Sequence, residues 1–383
     1  MIRQSNMTLD FLDEQAMVLE SAREFCKNNS NIAHVRSMLH SKNQQNHIGY
    51  DEPVWQQIVS LGWLGIATPE EFGGSDFGIG SAVGIAEAMG RHLLCTPFLS
   101  SMVAAQLLLR AGNKQQQMQW LPKISEGTVA TLALLDNEDW GSTQSQCKAL
   151  PEDGALRLTG RKIMVCDALS ASVFLVVVDV EGETNVAIVT ADKLSTSTIR
   201  PHTLLDETKR ACEVDFSDVL ITQDALLESS SVAQALQDCM LIGAMLTAAE
   251  AVGSTAASLD STVEYLKTRK QFGKLIGSYQ ALKHPSVDIL CKMDSAKSLL
   301  YHAASVVDSG PLNRDAEIAC RMVKVAASEA LLFAADRGIQ FHGGMGFTYE
   351  CDAQLYLRRA QWSQQQFGDA AHHRKRLAPL LLD

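Results

Sequence analysis

In the first third of the chain, apolar residues return every three or four positions. Phe11, Met17, Val18 and Ala22 share one helix face, Ala82, Ile85, Ala86 and Met89 another, and Val103, Leu107 and Leu108 a third. The pattern predicts an N-terminal α-helical domain over residues 1–125. It is interrupted at Thr68-Pro69-Glu70-Glu71-Phe72-Gly73-Gly74, where proline and paired glycine stop one helix before the next begins. From 126 the pattern changes to short runs rich in Val, Ile, Leu and Thr: Val129 to Leu135, Leu156 to Thr159, Ile163 to Val165, Val173 to Val180 and Val186 to Val189. Turn signals such as Glu152-Asp153-Gly154 and Glu181-Gly182-Glu183 divide them. Runs this short, with no helical crossovers between them, predict a middle antiparallel β domain over 126–230 rather than a doubly wound sheet. Helical spacing resumes over 231–383. One stripe is Ala249, Val252, Ala256, Leu259, Val263 and Leu266, a second is Ile289, Met293, Ala296 and Leu300, and a third runs from Ala319 through Val323, Ala326 and Ala330 to Leu331 and Ala334. Small residues along the stripes allow close helix approach, as in a C-terminal four-helix bundle. Pro285 falls near the start of the second stripe, harmless in a first turn and kinking if deeper. The fold class is α+β.

Composition narrows the function. At 383 residues and 46% hydrophobic, the chain can bury a large core in two or three packed units. A net charge of -11 argues against sequence-independent binding of nucleic acid, which needs a basic surface, yet leaves room for a local cationic spot facing a phosphorylated ligand. The nine cysteines lie far apart, with an odd count and no C-x-x-C pair, so they predict reduced, mostly buried thiols rather than disulfides or a zinc site. No run approaches ~20 apolar residues, and Met1 to Asn6 leads into a charged amphipathic pattern; a cytoplasmic protein without membrane insertion is expected. His372-His373 with Asp369 lacks metal-ligand spacing and predicts solvated helix-surface histidines, with no metal. Asp136 to Asp139 and Glu152-Asp153 predict solvated loops. Gly343-x-x-Gly346 follows a helical pattern rather than a strand, so it is no Rossmann fingerprint.

Two blocks carry the chemistry. The first is Arg269-Lys270-Gln271-Phe272-Gly273, with Gln280 and His284 after it; the second is Gln340-Phe341-His342-Gly343-Gly344-Met345-Gly346. Together they offer a permanent cation with a fork of donors for phosphate, amide side chains, an aromatic, and glycines that let phosphate approach the backbone. Singly, each has a plainer use: an arginine at a helix end meets the last carbonyls, and paired glycines stop a helix. Both together point to a nucleotide cofactor.

Tyr265 to Ile276 with Gln280 and His284, followed by Gln340 to Glu350, closely resembles the acyl-CoA dehydrogenase family. Pro69 to Gly74 and Glu87-Ala88-Met89-Gly90-Arg91 resemble that family's N-terminal signature, so the resemblance spans nearly the whole chain. It implies an FAD enzyme that takes a proton from Cα and a hydride from Cβ of an acyl-CoA thioester. It also implies a tetramer, and an electron-transfer flavoprotein or similar acceptor. Matched residue by residue, Arg269, Gln271, Phe272, Gln280, Gln340, Gly343 and Gly344 would hold the diphosphate half of an FAD belonging to a neighbouring subunit.

The chain departs from the family where the base should be. The usual glutamate position falls on Phe367, or on Gly368 or Gln366 with a one-residue shift, and none of these can take a proton. The position used by a minority, before Ala248-Ala249-Glu250-Ala251-Val252-Gly253, falls on Gly243. Glu250 and Asp369 are the nearest carboxylates; the plainer readings are a surface group and a helix cap, respectively. The family's flavin-ring loop is matched at Leu134 to Thr143 only in its Gly141-Ser142 portion. Since a family flavin site is shared across a dimer interface, these gaps resemble a subunit of heteromeric α2β2 acyl-CoA dehydrogenases of bacterial steroid side-chain breakdown, in which a partner supplies the base. A non-catalytic assembly subunit and a flavin-dependent acyl-CoA oxidase are the alternatives.

Overall fold

A computed structural model describes residues 13–40, 49–141, 145–227, 230, 232–307 and 310–382; Phe11 and Ser142-Thr143 lie outside them. The N-terminal helices are α1 (Asp13–Asn29), α2 (Ile32–His40), α3 (Glu52–Ser60), α4 (Ala82–Arg91), α5 (Phe98–Ala111) and α6 (Lys114–Ser125). Local chemistry sets their ends. Asp51 accepts the Val54 N–H at the start of α3, and Asn113 and Gln116 form a reciprocal capping box on α6. The break predicted at Thr68 to Gly74 is a tight turn over Glu70–Phe72, closed by Gly73 at φ 82°.

The middle strands are β1 (Ala130–Ala133), β2 (Lys148–Glu152), β3 (Ala155–Thr159), β4 (Arg161–Cys166), β5 (Val173–Val180), β6 (Glu183–Thr190), β7 (Ile199–Pro201), β8 (Ala211–Asp215) and β9 (Leu220–Ile221). One sheet has the order β1-β5-β2-β3-β9 with β6 also on β5; a second has the order β4-β8-β7. The expectation of a purely antiparallel unit is corrected: β1 runs parallel to β5 from Ala130↔Val173 to Ala133↔Val176, and β2 meets β5 in parallel at Lys148↔Asp179. A parallel pair needs a long connection, but not a helical one. Here β2, β3 and β4 themselves make the return, so the lack of helices did not exclude parallel pairing. Buried β5 reads as a continuous apolar run, whereas β2, β7, β8 and β9, with Lys, Pro, Arg and Glu among them, gave no strand signal.

The C-terminal region comprises α7 (Val232–Thr268), the hairpin β10 (Lys270–Gln271) and β11 (Lys274–Leu275), α8 (Gln280–Val306), α9 (Arg314–His342), α10 (Ala353–Gln365) and α11 (Ala370–Leu382). Helix α7 is the central post, packed by α4, α5, α8, α9 and α10. By length and composition it could cross a membrane, but 89% of its most apolar stretch is buried inside the protein. Its crossing with α4 is glycine-made. A Cβ on Gly90 would come within 2.1 Å of the Glu250 carbonyl oxygen, and one on Gly253 within 1.9 Å of the Glu87 carbonyl oxygen. Pro285 lies beyond the first turn of α8, so it costs one ladder hydrogen bond there.

Candidate functional site

The two sequence blocks meet in space. The C-terminal ends of α7 and α9 converge, and Leu266, Ile276 and Phe341 form one small core against Tyr265, Tyr279 and Leu282. Tyr265 stacks on His342 with ring centroids 4.2 Å apart. On this support the polar groups face outward: Arg269, Gln271, Phe272, Gln280, Gln340, Gly343 and Gly344 are all exposed. Arg269 forms no salt bridge among the described residues. The Gln280 amide oxygen accepts from His284 Nε2 at 2.8 Å. Gly343 takes φ 62° and ψ -141°, and a Cβ on either Gly343 or Gly344 would meet nothing within 4 Å. The result is a fixed cation, amide side chains and bare backbone on one open surface, a donor set suited to a diphosphate.

The two positions at which the family resemblance places a base also meet. Phe367 and Gly368 turn the corner between α10 and α11, both left-handed, at φ 56° and 95°. This corner lays the Phe367 ring on Gly243 of α7, so closely that a Cβ there would lie 2.4 Å from ring carbon Cε1. On its other side the ring packs against Trp140, centroids 5.4 Å apart. Where the family resemblance puts a carboxylate, an aromatic ring is seated against a glycine.

Around that ring lie two cavities. The outer one, of ≈ 220 Å³, has an apolar floor of Leu236, Met240 and Leu241 and a polar rim that includes Arg321, His372 and Arg376. The inner one, of ≈ 40 Å³, lies between α5, β1 and β4 and includes Val103, Met164, Cys166 and Gln366. Leu134, Leu135, Trp140 and Phe367 line both. Met164 reaches the inner cavity through a bulge in β4, at φ 53°. The hydroxyls of the inner cavity are committed: Ser100 donates to Asp167 at 2.6 Å and Thr131 to the Cys166 carbonyl at 2.7 Å.

Carboxylates near the cleft are likewise engaged. In the outer cavity Asp136 pairs with buried Lys162 at 2.8 Å, Glu317 pairs with Arg321 at 2.7 Å, and Asp139 accepts the Gly141 N–H at 2.8 Å. Asp136 therefore corrects the expectation of a solvated loop for that position. Asp136 and Asp139 share one loop, whereas Glu317 reaches the same rim from α9, a meeting that sequence spacing did not signal. Asp369 accepts the His372 N–H at 2.7 Å and so caps α11. Glu250 is not on the surface: it is buried and receives Lys209 on both oxygens, at 2.7 and 2.8 Å. Beside it, buried Arg359 donates to Asp206 at 2.7 Å.

His373 departs from the solvated-histidine expectation as well. It is buried, and its Nε2 donates to the Phe367 carbonyl at 3.0 Å, which leaves Nδ1 to accept from Arg321 at 3.4 Å. Burial and the cations Lys324 and Arg321 hold its pKa down at about 3, so the ring is neutral. No group of three or more metal-ligating side chains occurs among the described residues.

Comparison with known proteins fixes the family. A model of the acyl-CoA dehydrogenase N-terminal domain matches residues 12–128, and one of the acyl-CoA dehydrogenase C-terminal domain matches 233–382. The chain belongs to the acyl-CoA dehydrogenase family. Acyl-CoA dehydrogenase IpdE2 of Mycolicibacterium smegmatis is 27% identical over 366 residues, 95% of this chain and 98% of that protein. Acyl-CoA dehydrogenase FadE12 of Mycobacterium tuberculosis is 30% identical over 312 residues, 78% of this chain and 79% of that protein. The ChsE4-ChsE5 complex from Mycobacterium tuberculosis has the same fold, with a TM-score of 0.84 at 22% identity, covering 98% of this chain and 99% of that one. As an acyl-CoA dehydrogenase, the chain is of the oxidoreductase type that acts on CH–CH bonds, in a flavoprotein family. The residues fit that cofactor unevenly: the open surface at the ends of α7 and α9 suits a diphosphate, while the inner cavity, with room for little more than water and its hydroxyls spent, does not suit a flavin ring.

Proposed function

We propose that this chain is one subunit of a heteromeric acyl-CoA dehydrogenase that desaturates an acyl-CoA thioester, its partner being another acyl-CoA dehydrogenase-like chain that supplies the base. In this reading Arg269, Gln271, Phe272, Gln280, Gln340, Gly343 and Gly344 hold the diphosphate end of an FAD whose ring belongs to the partner's cleft. FAD, when bound, accepts the hydride from Cβ and passes electrons to an electron-transfer flavoprotein or a similar acceptor. Residues 1–125, 126–230 and 231–383 serve as the three units, the last carrying the FAD grip and the subunit contacts. The free thiols fit a reducing, cytoplasmic setting.

The observation that carries this reading is the Phe367 ring seated on Gly243, which leaves both base positions of this chain without a proton acceptor. The grip itself supports a partner. Phe272 is 91% exposed and Phe347 74%, apolar groups beside the cation that a second subunit would cover. Arg269 contributes a fixed charge and two-pronged donation; the glycines contribute close approach.

Purified alone, the chain should be flavin-poor and should fail to reduce an electron acceptor with any acyl-CoA. Co-expressed with an acyl-CoA dehydrogenase-like neighbour, the complex should be yellow and active, and Arg269→Ala should strip flavin from it. Anaerobic reduction of an artificial acceptor, compared with peroxide formation in air, separates dehydrogenase from oxidase. Full flavin occupancy with turnover by the lone chain would overturn the proposal and turn attention to Asp369→Asn and Glu250→Gln.

A further inference from the structure

We propose that Phe367 is a fixed stopper that divides this chain's own cleft into two separate halves, and that Arg321, Lys324 and His373 are the positioning residues that hold it. The proposal rests on the heteromer reading only for its purpose: a subunit that lends its grip to a partner's flavin has no use for an open cleft of its own. The partition is a matter of geometry.

Three features make the ring a built element rather than a side chain that drifted in. It is held on two faces, by Gly243 with no room for a Cβ and by Trp140, and it is one of four residues common to the outer and inner cavities. Its backbone sits at φ 56°, a conformation a phenylalanine keeps only where the surroundings impose it. The surroundings do so from both flanks. On the upstream side, buried Lys324 donates to the Ser363 carbonyl at 2.6 Å and the Gln364 carbonyl at 3.3 Å, fixing the last turn of α10. At the residue itself, His373 Nε2 holds the Phe367 carbonyl, and Arg321 holds the other nitrogen of that ring. The Asp369 cap on α11 completes the downstream side. These bonds tie the backbone of the corner to α9 and α11, so the direction in which the ring is presented cannot change without breaking them, while Gly243 and Trp140 pack the ring itself.

Removing the ring should join the halves into one larger cavity with an apolar interior, its rim carrying Arg321 and Arg376 beside the carboxylates of Asp136, Asp139 and Glu317, so that an amphipathic probe enters by its apolar face. The test is a fluorescence titration of the purified chain, without partner or flavin, using anilinonaphthalene sulfonate, which brightens in an apolar site. Wild type should take up little. Phe367→Leu should bind more tightly, and Phe367→Ala tighter again, by roughly tenfold over wild type, as the apolar area open to the probe grows. His373→Ala should raise uptake with Phe367 still present, while His373→Gln, which can still donate to the Phe367 carbonyl, should stay at the wild-type level. Cooperative thermal unfolding is recorded for each variant, since a loosened chain would bind the probe everywhere; Phe367→Leu decides the matter should Phe367→Ala not fold. Equal uptake by wild type and folded Phe367 variants overturns the stopper, and equal behaviour of His373→Ala and His373→Gln overturns the clamp. Because no flavin enters the assay, either failure leaves the co-expression experiment above intact, and a colourless co-expressed complex would leave the stopper intact.

Discussion

At the scale of single residues, the decisive contact is between a glycine and a phenyl ring that lie far apart in sequence. The positions were legible: Gly243 and Phe367 each fall where the family resemblance places a base. Their contact was not, because it depends on the left-handed corner after α10. That contact predicts a coupling. Gly243→Ala overfills the gap and should cost about 1–3 kcal/mol of stability. In a Phe367→Ala background much of that cost should vanish, giving an interaction energy of about 0.5–3 kcal/mol in a double-mutant cycle by urea unfolding. Strict additivity would mean the ring does not rest on Gly243.

At the scale of elements, Lys324 closes the C-terminal end of α10, where unpaired carbonyls favour a donor. Burial draws its pKa from 10.5 down to about 7, with Asp369 pulling the other way. Between those values the unfolded chain holds a proton that the folded chain lacks, so this lysine makes folding more favourable as pH rises through that window. The slope it adds is up to about 1.4 kcal/mol per pH unit. Lys324→Met removes it. Urea midpoints of the two proteins, followed from about pH 7 to about pH 9, should therefore diverge in favour of wild type; parallel curves would show that the lysine does not titrate there. Periodicity predicted α7, α8 and α9 well, because a buried stripe repeats with the helix. It failed for β7 and β9, which at three and two residues are too short to show a period.

At the scale of the whole molecule, a buried ionic network ties the middle strands to the bundle. Asp206 lies between β7 and β8 and Arg359 in α10; both are buried, and they pair at 2.7 Å, with Thr208 accepting from the same guanidinium at 2.6 Å. Lys209, next in the loop, holds Glu250 of α7 in the same manner. Burial opposes the charge on Asp206, but Arg359 and Thr208 outweigh it and keep the carboxyl below its ordinary range. Breaking one side leaves a buried charge alone, so Arg359→Ala should cost about 3–5 kcal/mol. Replacing both partners, as Arg359→Met with Asp206→Leu, should recover part of that loss. Calorimetry of the three proteins checks this, and a near-neutral Arg359→Ala would show that the network does not join the two regions. Glu250 looked like a surface group in sequence because its partner comes from a loop in another region.

The amino-acid order alone determined the succession of helical, strand and helical regions, the family, and the two blocks that we propose hold a nucleotide. Each is a local signal: a hydrophobic period, or polar and glycine residues within one short stretch. Only the tertiary structure decided that the sheet contains parallel pairs, that Glu250 and His373 are buried and engaged, and that the Phe367 ring is seated on Gly243. Those outcomes turn on which distant residues are pressed together when the core closes, and close packing through space leaves no period along the chain.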